Sequence, residues 1–206
     1  MRARGATPRV IAPLTDLRAR ELAAAGLAEI STGIFGADAA AHDAIAGRPG
    51  AFDALTSAVP TFRALGVRVS LVTPLIAPVL DALPAIVAAA AGLVDDPLTL
   101  LTYVPDGPVG TAFDDLVPAH RRLRAALGAI EPTRASIEGA PACVLPPSRR
   151  SRRLAVLDRS DAEARAKHSA EPCDRCDARP SCPGVARAVV RAIGVDGLEP
   201  ITSRRP

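Results

Sequence analysis

Residues 52–74 read FDALTSAVPTFRALGVRVSLVTP, and the stretch changes character at Gly66. Before it lies an Ala/Leu-rich segment with helical spacing; after it comes a β-branched run. A glycine at that junction fits the position just past a helix, where a left-handed backbone costs glycine little. The same sequence of helix, glycine and β-branched run recurs in residues 17–36 around Gly26 and in residues 83–105 around Gly92. The runs near 28–35, 67–73 and 98–104 read as strands buried on both faces, and RVIA at 9–12 as an earlier one. Repeated βα units build a parallel sheet of about four strands, doubly wound or curled into a barrel, with the first strand an exposed edge. In either case the loops after the strands would carry the chemistry: residues 13–16, 36–52, 73–78 and 105–115. A helix is expected at about 113–128. The pattern then stops: residues 131–183 are rich in Pro, Arg, Ser and Cys, and only GVARAVVRAIG at 184–194 reads as a closing helix.

Composition agrees with an α/β fold. The chain has 206 residues, 49% of them hydrophobic, but only 2% aromatic and no Trp, so Ala, Leu and Val must supply the burial. The net charge of +3 is too small to argue for nucleic acid. Residues 1–140 carry 12 basic and 14 acidic side chains, whereas residues 141–206 carry 13 and 8. The basic run RRSRR at 149–153 reads as a solvated linker. No apolar segment followed by a cleavage site opens the chain, and LPAIVAAAAGLV is too short to span a bilayer. A cytoplasmic protein without membrane contact is expected.

In that compartment clustered cysteines are metal ligands more often than disulfides. Cys173, Cys176 and Cys182 fall within ten residues, and Cys143 lies thirty residues before them. Cys-x2-Cys-x5-Cys can direct three thiolates at one centre, with Cys143 as a fourth. Four sulfurs suit tetrahedral zinc or an iron–sulfur cluster, and the spacing leaves the metal open. Other candidates have ordinary structural readings beside functional ones. His42 and Asp43 follow a strand end, where they either pin their own loop or act as acid and base. His120 and His168 read as exposed helix or linker residues, Asp114 and Asp115 as the opening of a helix, and residues 106–110 as a turn. There is no phosphate-binding glycine fingerprint and no nucleophile elbow.

Residues 22–75 resemble the middle of a radical S-adenosylmethionine enzyme, with its loop of spaced Gly, His-Asp, Gly, Gly and Phe at Gly36, His42, Asp43, Gly47, Gly50 and Phe52. VPDGPVGTA at 104–112 is similar to the turn after that family's sixth strand. PACVLP, CDRCDARPSCPGV and GVDGLEPI are similar to the cysteine-rich C-terminal extension of peptide- and cofactor-maturing members. The resemblance implies a partial parallel (β/α) barrel over residues 1–135, matching strands 3–6. It also implies an extension over 136–206 holding an auxiliary [4Fe-4S] cluster through Cys143, Cys173, Cys176 and Cys182. A peptide substrate, or a partner supplying the missing barrel strands, is implied with it.

Residues 1–142 nevertheless contain no cysteine, so the family's Cys-x3-Cys-x2-Cys loop is missing, and so is its Gly-Gly-Glu motif. The expectation is a truncated or degenerate member that begins just before the third strand. It would not cleave S-adenosylmethionine unless the missing segment is supplied. Where many members read TNG this chain has Ala12-Pro13-Leu14, and the serine that often ends the fourth strand falls at Gly33, with Ser31 as a substitute for binding the cofactor. The non-catalytic alternative is a zinc-stapled α/β interaction protein.

Overall fold

The computed structural model describes residues 16–104, 114–150, 167–168, 170–180 and 182–202. The strand expected at 9–12, Ala12–Leu14 and the 106–110 turn lie outside them. Helix α1 (Asp16–Ala24) leads to β1 (Glu29–Gly33), α2 (Ala39–Ala46) and α3 (Ala51–Ala64). Strand β2 (Arg68–Leu75), α4 (Leu83–Leu93), β3 (Leu98–Thr102), α5 (His120–Gly128) and β4 (Ala135–Glu138) follow. The protein is α/β, with a four-stranded parallel sheet in the order β1-β2-β3-β4. A doubly wound sheet reverses its direction of growth at a switch point; among the described strands there is none.

By its internal contacts the chain divides into two units, residues 1–73 with 84–99 and residues 74–83 with 100–206. In the first, Gly26 and Gly66 sit at φ 86° and 76°. Each helix end is closed by a pair of backbone bonds, Gly26 to Ala23 with Leu27 to Leu22, and Gly66 to Arg63 with Val67 to Phe62. That is the Schellman arrangement a glycine past the last turn permits. Gly92 differs from expectation. It lies inside α4, and the bond from Val94 N–H to the Ala90 carbonyl carries the helix past it.

Strand burial also departs from the two-faced expectation. In β2, Val69, Leu71, Thr73 and Leu75 are buried while Ser70, Val72 and Pro74 are only half-buried. The register puts Ile30 beside Val69 and Thr32 beside Leu71, and on the opposite face Ser31 beside Ser70 and Gly33 beside Val72. Right-handed crossovers that advance in one direction place their helices on one face, which accounts for a sheet with one apolar and one mixed side.

The second unit holds further corrections. Val117 precedes Pro118, which disfavours helix there; residues 114–116 form one 3₁₀ turn, and α5 starts only at His120. Strand β4 falls where the repeating pattern was expected to have stopped. Arg149, in the short helix α6 (Pro147–Arg150), belongs to no solvated linker. It is buried and donates to the carbonyls of Ala135, Ile130 and Glu131 at 2.7, 3.1 and 2.9 Å. The remaining elements are a two-residue antiparallel ribbon of β5 (Lys167–His168) and β6 (Val185–Ala186), and helix α7 (Arg187–Ile193). His168 is thus a ribbon residue, where a helix or linker was expected. No helix among the described residues is long and apolar enough to cross a membrane.

Candidate metal centre

The β5–β6 ribbon closes the base of a loop that contains three cysteines. Within it a 3₁₀ turn over Glu171–Arg175 points the chain back on itself, with Cys173 N–H bonded to Ala170 and Cys176 N–H to Cys173. Cys182 N–H continues the winding to Ala178. Such tight turns bring side chains three to six residues apart onto one side. Cys143 arrives separately, in a buried 3₁₀ turn over Ala142–Val144. All four cysteines line one pocket of about 30 Å³, together with Arg179 and Leu198. None is in a disulfide.

The surroundings of the sulfurs are unequal. Cys182 Sγ accepts N–H bonds from Ala142 at 3.3 Å and Gly184 at 3.4 Å, and Cys176 Sγ accepts one from Ile201 at 3.4 Å. Burial pushes the Cys143 thiol up to about 11, and the nearby sulfurs of Cys182 and Cys173 add to the rise. Burial raises Cys173 as well, again with Cys182 contributing. Four thiols crowded together favour the protonated form; a soft cation among them reverses that by coordinating the thiolates. N–H donors aimed at sulfur stabilise thiolate rather than thiol. The donor set therefore fits zinc or an iron–sulfur cluster. As they stand, no three His, Cys, Asp or Glu side chains among the described residues are grouped tightly enough to ligate a single ion.

Arginine 124 ties the surrounding segments together. Its Nε donates to the Cys143 carbonyl at 3.1 Å and one terminal nitrogen to the Gly197 carbonyl at 2.7 Å, while the other meets Glu199 at 2.7 Å. That pairing holds the Glu199 carboxyl below its ordinary range. An arginine in a chain with 24 of them carries no sequence signal, and neither do the backbone donors Ala142, Gly184 and Ile201.

The other candidates resolve structurally. His42 is buried, accepts the Phe35 N–H on Nδ1 at 3.1 Å, and lies against the rings of Phe35 and Phe52. Asp43 accepts from Gly50 and Phe52 N–H at 2.5 and 2.9 Å. Gly36 is required because a Cβ there would lie 2.3 Å from the His42 nitrogen, and Gly47 and Gly50 take left-handed backbones. The spaced motif is thus a knot that fixes the β1–α2–α3 connection. Ser31 is buried in the middle of β1, in the first unit. At Gly33 a side chain would meet the Phe35 ring at 2.3 Å, so a serine cannot be accommodated there as the ring stands. His120 was expected to be exposed and is instead buried at the start of α5, because the C-terminal segment around Gly197 packs against it. Its Nε2 has no hydrogen-bond partner among the described residues.

Comparison with protein-family models gives no match, and no curated protein is significantly similar to the chain.

Proposed function

We propose that the chain is a partial (β/α) barrel of the radical S-adenosylmethionine type, matching strands 3–6, whose C-terminal extension holds an auxiliary [4Fe-4S] cluster on Cys143, Cys173, Cys176 and Cys182. The observation that carries this reading is the convergence of four thiols, from two segments remote in sequence, on one pocket with N–H donors to two of the sulfurs. The sequential strand order and the one-sided burial of β2 support a barrel section over a doubly wound sheet. Free thiols in this number accord with a cytoplasmic setting.

In this reading the four cysteines anchor the cluster, and the N–H groups of Ala142, Gly184 and Ile201 offset its negative charge. A cluster with four thiolate ligands supplies electron transfer and offers no open iron. The 206 residues contain no further cysteine, so the chain alone does not cleave S-adenosylmethionine. Ser31 would contact that cofactor only once the missing strands and cluster loop are provided, by a partner or an upstream segment, and a peptide is the substrate class that the sequence resemblance implies.

A zinc-stapled interaction protein is the second reading, because four thiols lining one pocket suit tetrahedral zinc as well as a cluster. Anaerobic purification followed by metal and acid-labile sulfide analysis decides between them. Iron with sulfide and broad visible absorption is the expected result; colourless protein with one zinc would replace the cluster reading, and no metal on any loading would end both. Reconstituted protein incubated with reductant and S-adenosylmethionine should form no 5′-deoxyadenosine above a control in which Cys173, Cys176 and Cys182 are all Ala.

A further inference from the structure

Residues 194–202 do not simply trail away from α7. Asp196 pairs with Arg121 at 3.2 Å, and the Gly197 carbonyl and Glu199 carboxylate are both held by Arg124. Leu198 is buried and lines the cysteine pocket. Ile201 donates its N–H to Cys176 Sγ at 3.4 Å and accepts the Asp177 N–H at 2.8 Å. The segment is therefore a strap laid along α5 and fastened to the cysteine loop. Gly197, at φ 82°, sits so close to α5 that a Cβ would lie 2.8 Å from Arg121 Cγ and 3.1 Å from its backbone nitrogen.

We propose that Arg124 is the positioning residue of this centre, holding the Cys143 turn and the 194–202 strap at a fixed separation so that the strap closes the pocket and supplies the hydrogen bond to Cys176. The inference rests on the reading of the four cysteines as metal ligands, and holds for zinc or a cluster alike. Arginine suits the role because its planar fork presents several donors in rigid geometry, and here three different acceptors are engaged at once. Its side chain is only 25% exposed, unlike the 46% of Arg122 on the same helix, so less water competes for those donors. Outer-shell groups that fix metal ligands typically change metal affinity by about 10- to 100-fold when removed.

The test uses the full chain, loaded with the metal it is isolated with, and follows release to a chelator. Arg124→Gln should accelerate release about 10- to 100-fold, and hydrogen exchange in residues 195–202 should rise while that of α3 and α4 stays unchanged. Arg124→Lys should fall between, because an ammonium cannot span the three acceptors. Ile201→Pro, which removes the N–H donor along with the Ile side chain and fixes φ, should shift the thiolate–metal absorption and speed release without touching Arg124. Arg122→Gln, on the same helix as Arg124, breaks an ion pair of 2.6 Å to Asp81 and should match wild type. Wild-type release rates in Arg124→Gln, with the fold intact by circular dichroism, would overturn the inference. Should that variant not fold, an unchanged rate and absorption in Ile201→Pro would overturn it equally. A wild-type chain that takes up no metal would instead overturn the underlying reading.

Discussion

The His42–Asp43 knot of the first unit and the cysteine pocket of the second are both dense in reactive side chains, and they differ in where their hydrogen bonds go. Around Asp43 the bonds run inward: its carboxylate takes two backbone N–H groups of its own loop, and His42 Nδ1 takes a third. Around the cysteines the backbone donors converge on sulfur, while burial favours the protonated thiols of Cys143 and Cys173, which line the same pocket. A group whose polar capacity is used up by its own loop is explained by folding. In the reading proposed above, a set of soft ligands gathered on one pocket and supplied with N–H donors is there for a cation rather than for its own loop.

Substitutions on the two sides should therefore have opposite signatures. Cys182→Ser should abolish metal retention, since this sulfur takes two N–H bonds and influences both Cys143 and Cys173. The second unit should lose thermal stability with it, because metal binding to such sites is coupled to folding. Gly36→Ala should leave metal content unchanged and destabilise the first unit by about 1–3 kcal/mol, the usual cost of overpacking, because the new Cβ meets the backbone of α2. Metal analysis and denaturant unfolding of both variants check the contrast. A loss of metal in Gly36→Ala, or full retention in Cys182→Ser, would break it.

A smaller effect sharpens the reading of β1. Gly33→Ser restores the residue type that the resemblance leads one to expect, but its side chain would enter the space of the Phe35 ring. A destabilisation of about 1–3 kcal/mol is expected. Gly33→Ser with Phe35→Ala should relieve the clash, so the two costs should not add. Additive costs in a double-mutant cycle would mean that Phe35 is not what excludes a side chain at 33.

The strands β1 to β3 were legible because each follows a helix ended by, or rich in, small residues and shows a β-branched run long enough to read. Gly26 and Gly66 marked true helix ends, whereas Gly92 misled, since a glycine's tolerance of the left-handed region does not oblige it to go there. Strand β4 is only four residues long, ASIE, too short for alternation to register. Arg149 shows the limit of reading charge: a basic run looks solvated unless one knows that three carbonyls await one of its members. Cys173, Cys176 and Cys182 were legible as a group because their spacing is local, and the structure adds that Cys143, thirty residues earlier, lines the same pocket. Arg124 and the strap were not, because their partners lie 19 to 75 residues away and no short pattern encodes that distance.

The smallest expected effect is the acid response of the knot. Burial lowers the His42 pKa from its ordinary 6.5; the Asp43 charge opposes this and the Arg48 charge reinforces it. With the folded value below the unfolded one, the unfolded chain takes up the proton first as the pH falls. The stability contributed by neutral His42 is thus complete above pH 6.5 and is lost as the pH drops through the folded value. Protonation also places a hydrogen on Nδ1, where the Phe35 N–H now donates. Asp43, lowered from 3.8 chiefly by the Phe52 N–H, then loses its share in a second, more acidic window. Titration of the His42 ring by NMR should give a midpoint below 6.5, accompanied by a shift of the Phe35 amide at the same pH. A midpoint at or above 6.5 would mean that Asp43 outweighs burial, and that the ring is poised to carry a proton after all.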